Sequence, residues 1–243
     1  METTIDYKAL IDKYQDMRYF TTDPIAVVKQ CIDVLDIEVM GIVCSWLALG
    51  NRNQIYKHCV ATYEMMCGTP YNYLISREWK KEKDNNSCYY RMFRHADFYD
   101  LMNSLYTIYE NYPTLEDAIL HYIGQNPTAD YLDALISLIT AHGIPQNKTS
   151  ACKRLCLFLR WMVRQNSPVD LGIWTRLDAH RLLIPLDVHV GRIAREQGLL
   201  TRTASDMKAV TLLTDHCQQL FPNDPCAMDF ALFGLGYTHA QKK

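Results

Sequence analysis

The sequence predicts an all-α fold, and three features carry that expectation. Apolar residues recur at three- and four-residue spacing through most windows, the period of a helix with one buried stripe. Sustained alternation, the mark of a half-buried strand, is hard to find anywhere. Punctuation sits where the periodicity starts and stops: Asp23-Pro24 and Asp224-Pro225 each set a capping carboxylate before a proline suited to a first turn, and Gly198 follows Gln197 as a stop.

Taken in order, the spacing predicts helices near 5–19, 24–35, 38–49, 53–66, 91–109, 115–123, 128–140, 150–164, 188–197, 206–220 and 226–235. The second opens at Asp23-Pro24. The third carries the longest apolar run, 39–49, which Ser45 interrupts and which falls short of the roughly 20 residues needed to span a bilayer. The ninth opens behind Asp187 and stops at Gly198, and the last follows Asp224-Pro225. Connections are short except for a polar stretch at 80–87 (KKEKDNNS) and a looser passage at 165–181. There is no internal repeat and no Gly- or Pro-rich linker, so 1–243 reads as one all-α unit.

Composition narrows the function classes. With 243 residues, 49% apolar and 21% charged, and only 10 Gly and 9 Pro, the chain is neither collagen-like nor disordered. A formal net charge of -2 provides no global field for nucleic acid or an acidic membrane, so any nucleic-acid site must be a local patch. Nine cysteines, an odd number without a CxxC pair, suit a reducing cytoplasm. The opening METTIDYKALIDKYQ is charged and lacks the apolar stretch of a signal peptide, which points to a soluble, cytoplasmic protein.

A local patch exists. Residues 148–164, KTSACKRLCLFLRWMVR, hold five cations and no carboxylate. At 100° per residue Arg160 and Arg164 fall within about 20° of Lys153, while Ala151, Leu155, Phe158, Leu159 and Met162 lie opposite. Such a row suits phosphate binding with release of counterions; the plain alternative is a solvated helix face. Lys153 stands one turn from the helix start, where backbone amides and nearby arginines would favour the neutral, nucleophilic amine.

A second focus is 184–198, IPLDVHVGRIAREQG, where an acid and an imidazole sit in an apolar run that opens a helix. Asp187 reads as an N-cap, a role compatible with facing a cleft, because a capping carboxylate is held rigidly. His189 reads as a hydrogen-bonded core or cleft residue, and Arg192 and Arg195 as solvent-facing.

A lysine in the first turn of an apolar-basic helix, followed downstream by PLDVH opening another long helix, resembles the helix-hairpin-helix DNA glycosylase superfamily, whose members include endonuclease III and 8-oxoguanine DNA glycosylase. The likeness covers roughly 38–236, and the whole chain is similar to a bacterial family of uncharacterised proteins within that superfamily, with ACKRLCLFLRWMVR and IPLDVHVGR as the most recognisable strings. The resemblance implies two helical subdomains flanking a cleft: 38–140 with an insertion loop at 50–54, and 1–37 plus 141–243 with the hairpin, the catalytic lysine and the catalytic aspartate. It places Lys153 and Asp187 in the catalytic positions. Asn51 and Arg52 take the place of the loop pushed into the duplex, and Lys148, Thr149 and Ser150 that of the phosphate-gripping hairpin; the last catalytic-domain helix is matched by 229–236, DFALFGLG. Arg154, Arg160, Arg164 and His189 are the further expected DNA contacts, and Trp161, Phe158 and Phe230, with Trp174 and Phe233, the candidates to stack on a flipped base, although aromatics at helical spacing are core in most cases.

The chain also departs from the family pattern. The hairpin normally carries Gly-x-Gly, and Lys148-Thr149-Ser150-Ala151 has no glycine. The connection from Lys153 to Asp187 is longer than usual, and the four-cysteine iron-sulfur motif of endonuclease III is absent, so no cofactor is expected. A Cys152/Cys156 metal site lacks a histidine, and no metal is assigned.

The implied activity is base-excision repair of damaged double-stranded DNA, an oxidised purine being the first expectation, by a glycosylase with AP lyase chemistry acting as a monomer. Extrusion of the nucleotide, a nucleophile at C1′ and stabilisation of an oxocarbenium-like sugar are what such chemistry requires. Two other classes stay open: a catalytically inactive nucleic-acid-binding helical protein, which keeps the basic face without needing Lys153 and Asp187 to converge, and a protein-interaction scaffold, which needs neither.

Overall fold

The computed structural model describes residues 5–241, with side chains up to 238. The chain is mostly helical, and among the described residues strand is confined to one small hairpin. In order the elements are α1 (Tyr7–Tyr14), α2 (Pro24–Val28), α3 (Val34–Leu47), α4 (Arg52–Met65), α5 (Pro70–Ser76), β1 (Cys88–Tyr90), β2 (Phe93–Arg94), α6 (His95–Asn111), α7 (Leu115–Gln125), α8 (Tyr131–Leu138), α9 (Lys153–Val163), α10 (Val188–Glu196), α11 (Met207–Leu220) and α12 (Met228–Gln241). Among the described residues no helix is long and apolar enough to cross a membrane.

The chain forms two compact units: one spans 22–147, and the other joins the residues up to 21 with those from 148 onward. The first division falls at 21/22 instead of the expected 37/38, because α2 packs on α3 and α4 and so belongs with them, and the second falls at 147/148 instead of 140/141. Residues 1–4 and 242–243 of the expected subdomains lie outside the described residues.

In the unit spanning 22–147, α3 is buried almost all round, from Ile37 to Leu47, as a central helix must be. Trp46 stacks on Phe93 at 4.3 Å and donates its indole N–H to the His142 carbonyl at 2.8 Å. Glu38, fully buried on α3, accepts hydrogen bonds from the Tyr109 hydroxyl at 2.8 Å and the Leu115 amide at 2.9 Å. Two expectations need correction. The predicted helix at 24–35 is divided, since Asp33 caps a fresh start by accepting from the Leu35 amide, and α3 begins there. The helix expected from 91 begins at His95, because 88–94 close the antiparallel hairpin of β1 and β2. Sequence periodicity also passed over α5, whose signal was the Thr69-Pro70 start.

In the other unit α1 and α10 pack on α12. A Cβ at Gly234 would lie 2.1 Å from the Tyr14 ring, so glycine permits that crossing, and the Tyr14 and Thr238 hydroxyls are 2.8 Å apart beside it. The passage 165–181 is not loose. It returns along the end of α9, with the Leu171 and Gly172 amides donating to the Trp161 carbonyl at 2.8 and 3.1 Å and the Trp174 amide to the Met162 carbonyl at 2.9 Å. Those carbonyls are ones a helix end leaves unsatisfied, and the return fills them.

Candidate active site

Lys153 is the first residue of α9. Residues 148 and 149 form a turn, Ser150 bridges to Asp206, and Cys152 then adopts the left-handed conformation at φ 47° and ψ 30° immediately before the helix. A non-glycine residue there costs on the order of 1 kcal/mol, which the surrounding turn sustains. The Ser150 hydroxyl accepts from the Cys152 amide at 3.4 Å.

Asp187 comes from the start of α10, where its Oδ1 accepts the Val190 amide at 2.8 Å as an N-cap. Its other oxygen, Oδ2, lies 3.8 Å from Lys153 Nζ, and the two side chains are 32% and 34% exposed. One carboxylate oxygen therefore anchors the acid to the helix while the second faces the amine. Val188 and His189 beside them are exposed. The amine and the acid thus converge within one unit, both half-open to solvent.

The cationic face is corrected. Arg160 and Arg164 are only 4% and 3% exposed and are saturated by carboxylates from outside the helix. Arg160 pairs with Asp170 at 3.1 Å and with Asp229. Arg164 pairs with Asp170, binds Asp224 through two hydrogen bonds of 2.8 and 2.7 Å, and donates to Gln15 Oε1 at 2.9 Å. Burial opposes the charge of Arg160, but Asp170 and Asp229 outweigh it and raise its pKa; in Arg164 the Asp224 and Asp170 partners likewise overcome desolvation. Buried guanidiniums held in this way cannot reach a DNA backbone. Asp224, read from sequence as a helix cap, makes no capping bond and holds Arg164 instead.

Four of the five aromatic candidates are core as well, and Phe233 is half-buried. Trp161, Phe158 and Phe230 are fully buried; Phe158 meets Trp174 edge to face at 5.3 Å, and Phe230 lies under the guanidiniums of Arg160 and Arg164 at 4.7 and 5.2 Å. None of them lines an open base pocket. Arg195, read as solvent-facing, donates to the carbonyls of Arg202 and Thr203 at 2.8 and 2.9 Å and so ties down the loop after α10.

Of the remaining residues, Thr149 and Ser150 are exposed and Lys148 and Arg154 half-buried, burial lowering the pKa of Arg154. Asn51 caps α4, its Oδ1 accepting the Asn53 and Gln54 amides at 3.0 and 3.3 Å, and Arg52 lies 3.5 Å from Asp23. Both belong to the unit spanning 22–147. That unit also contains a cavity of about 560 Å³ lined by Asp100, Ser104, Thr140 and His142, none of them a predicted site residue. Among the described residues no group of three or more His, Cys, Asp or Glu is arranged to hold a metal ion.

Sequence reasoning missed the acids that matter most here, Asp170 and Asp229. The signal was the excess of five cations without a carboxylate in a segment whose opposite face is core, which calls for acids from elsewhere. Asp229, 13% exposed, has its pKa pushed up to about 6, by burial first, with Arg160 and Lys153 opposing and Asp187 and Asp170 reinforcing the rise.

Fold and site together define a mostly helical protein with a paired amine and carboxylate backed by a buried ionic cluster. The chain belongs to the family described as "Protein of unknown function (DUF2400)", which matches residues 23–238. No curated protein and no solved structure matches it.

Proposed function

We propose that this chain is a DNA N-glycosylase of the helix-hairpin-helix type with AP lyase activity, acting on damaged double-stranded DNA. The observation that carries the reading is the approach of Lys153 Nζ to Asp187 Oδ2, 3.8 Å, from two different helix starts with both groups accessible. A silent binding module or a scaffold has no need of that convergence.

In this reading residues 148–152 are the hairpin. The unprotonated Lys153 amine attacks C1′ of the extruded nucleotide; the N-glycosidic bond breaks, and its electron pair leaves with the base, which takes up a proton. Ionised Asp187 stabilises the positive charge that develops on the sugar, and its second oxygen, bonded to the Val190 amide, keeps it in place. Loss of the amine proton and opening of the sugar ring leave a Schiff base to Lys153, from which elimination cleaves the strand on the 3′ side. Lys148, Thr149, Ser150, Arg154 and His189 remain as backbone contacts; Arg160 and Arg164 are withdrawn from that role. An oxidised purine is the first base to test.

The test is borohydride trapping on duplexes that each carry one lesion. Wild-type protein is expected to give a covalent adduct and Lys153→Gln none. An equally strong adduct in the variant removes Lys153 from the mechanism, and DNA binding without base release across the panel favours the silent module.

A further inference from the structure

The cavity of about 560 Å³ in the unit spanning 22–147 has walls of two kinds. Asp100, Asn103 and Ser104, spaced as i, i+3 and i+4, share one face of α6, and the segment 140–146 that follows α8 supplies the other wall. That segment is fixed in place. The Ser104 hydroxyl donates to the Thr140 carbonyl at 2.9 Å and accepts the Thr140 amide at 3.1 Å, and the Trp46 indole N–H donates to the His142 carbonyl at 2.8 Å. Gly143 adopts φ 87°, and a Cβ there would lie 2.4 Å from the Phe93 ring. The cavity is therefore preformed, as a ligand site needs to be.

Its polar groups are also left open. Among the described residues none pairs with the Asp100 carboxylate, the Asn103 amide or the Thr140 hydroxyl. No lysine or arginine lines the cavity, and its one basic side chain, His142, turns Nδ1 to Asp97 Oδ2 at 3.1 Å. Burial, and then the neighbouring Asp97, raise the pKa of Asp100, as suits a carboxylate with no cation beside it. We infer that this cavity binds a small organic cation with a primary ammonium group, of the aliphatic diamine class. One ammonium pairs with Asp100 and donates its other N–H groups to the side-chain oxygens of Asn103 and Thr140. Gln146, whose amide N–H bonds the Ile144 carbonyl at 3.2 Å, keeps its carbonyl oxygen for the second ammonium. No Phe, Tyr or Trp lines the cavity to hold a quaternary ammonium by cation–π contact, and one carboxylate is a thin ligand set for a divalent metal. The inference stands apart from the chemistry of Lys153 and Asp187, which belong to the other unit.

The experiment titrates putrescine into the full-length protein at pH 7 and low salt by calorimetry. The indole N–H resonance of Trp46, assigned by triple-resonance methods, reports whether the diamine sits against the 140–146 wall. Wild type is expected to bind one diamine and to shift that resonance. Asp100→Asn, which removes a charge and no native contact, is expected to weaken binding at least tenfold, whereas Asp84→Asn, which removes a charge from an exposed position outside the cavity, is expected to change it by less than about twofold. Asp100→Lys, which brings an ammonium of its own, is expected to abolish binding. Choline, which lacks the N–H donors, and the corresponding diol, which lacks the charge, are expected to bind at least tenfold more weakly than putrescine. Absence of saturable binding up to about 10 mM, a value two orders of magnitude weaker than an ordinary metabolite site, overturns the proposal. So does an equal loss in Asp100→Asn and Asp84→Asn, choline binding as tightly as putrescine, binding that leaves the Trp46 resonance unmoved, or displacement of the diamine by an equal concentration of Mg²⁺.

Discussion

Replacing Arg164 with Met separates a structural arginine from a DNA-binding one. Methionine supplies an unbranched apolar side chain in place of the arginine stem, and it removes every donor together with the guanidinium that lies over Phe230. Four attachments vanish: two hydrogen bonds to Asp224, one ion pair to Asp170 and one hydrogen bond to Gln15. The two acids respond differently. The Asp224 side chain is 35% exposed and recovers its hydration, whereas that of Asp170 is 0% exposed and retains only Arg160, the Ser167 hydroxyl at 3.2 Å and its place in the cluster. Breaking a buried pair costs about 3–5 kcal/mol; with Arg160 still compensating Asp170 and Asp224 rehydrated, the expected loss is near the lower end, about 3 kcal/mol. Urea unfolding at pH 7 followed by tryptophan fluorescence measures it. Adding Asp170→Asn to Arg164→Met should restore part of the loss, since the second change neutralises the acid that the first strands. A stability within about 1 kcal/mol of wild type would refute the reasoning. So would unchanged stability with a salt dependence of DNA binding reduced by about one phosphate contact, the signature of a surface arginine.

Two further outcomes follow from the same geometry. Asp187→Ala should cost about 1 kcal/mol in urea unfolding through loss of the cap on the Val190 amide, whereas Asp187→Asn, which can still cap α10, should be nearly neutral in stability while reducing borohydride trapping at least tenfold; equal trapping by Asp187→Asn and wild type would separate the charge from the chemistry. Asp229 gives a pH signature: its folded pKa is raised from 3.8 to about 6, so between those values the native state holds a proton the unfolded chain has released, and stability falls as pH rises through this window and levels off above it. Asp229→Asn does not titrate, so its stability relative to wild type should climb by about 2–3 kcal/mol between pH 4 and 7 in parallel urea titrations, and a pH-independent difference would contradict the assignment.

Much of the architecture was legible because it is local. Asp23 before Pro24 caps α2, and Asp187 caps α10 through the Val190 amide three residues on, as one-turn chemistry dictates. The hairpin of β1 and β2 escaped notice because strands of three and two residues are too short to show alternation. At the site, the phasing that put Arg160 and Arg164 on the face of Lys153 was a statement about one helix, and their burial depends on partners that helix does not contain.

The order of residues along the chain determined the helices, their caps and a run of cations with nothing acidic beside it. Tertiary structure alone decided which of those cations meet solvent. The acids that neutralise Arg160 and Arg164 arrive from 10, 60 and 69 residues away, and the carboxylate facing Lys153 arrives from the start of another helix. Helical periodicity acts over a few residues, whereas charge compensation in a dry interior depends on distance in space, which no local pattern encodes.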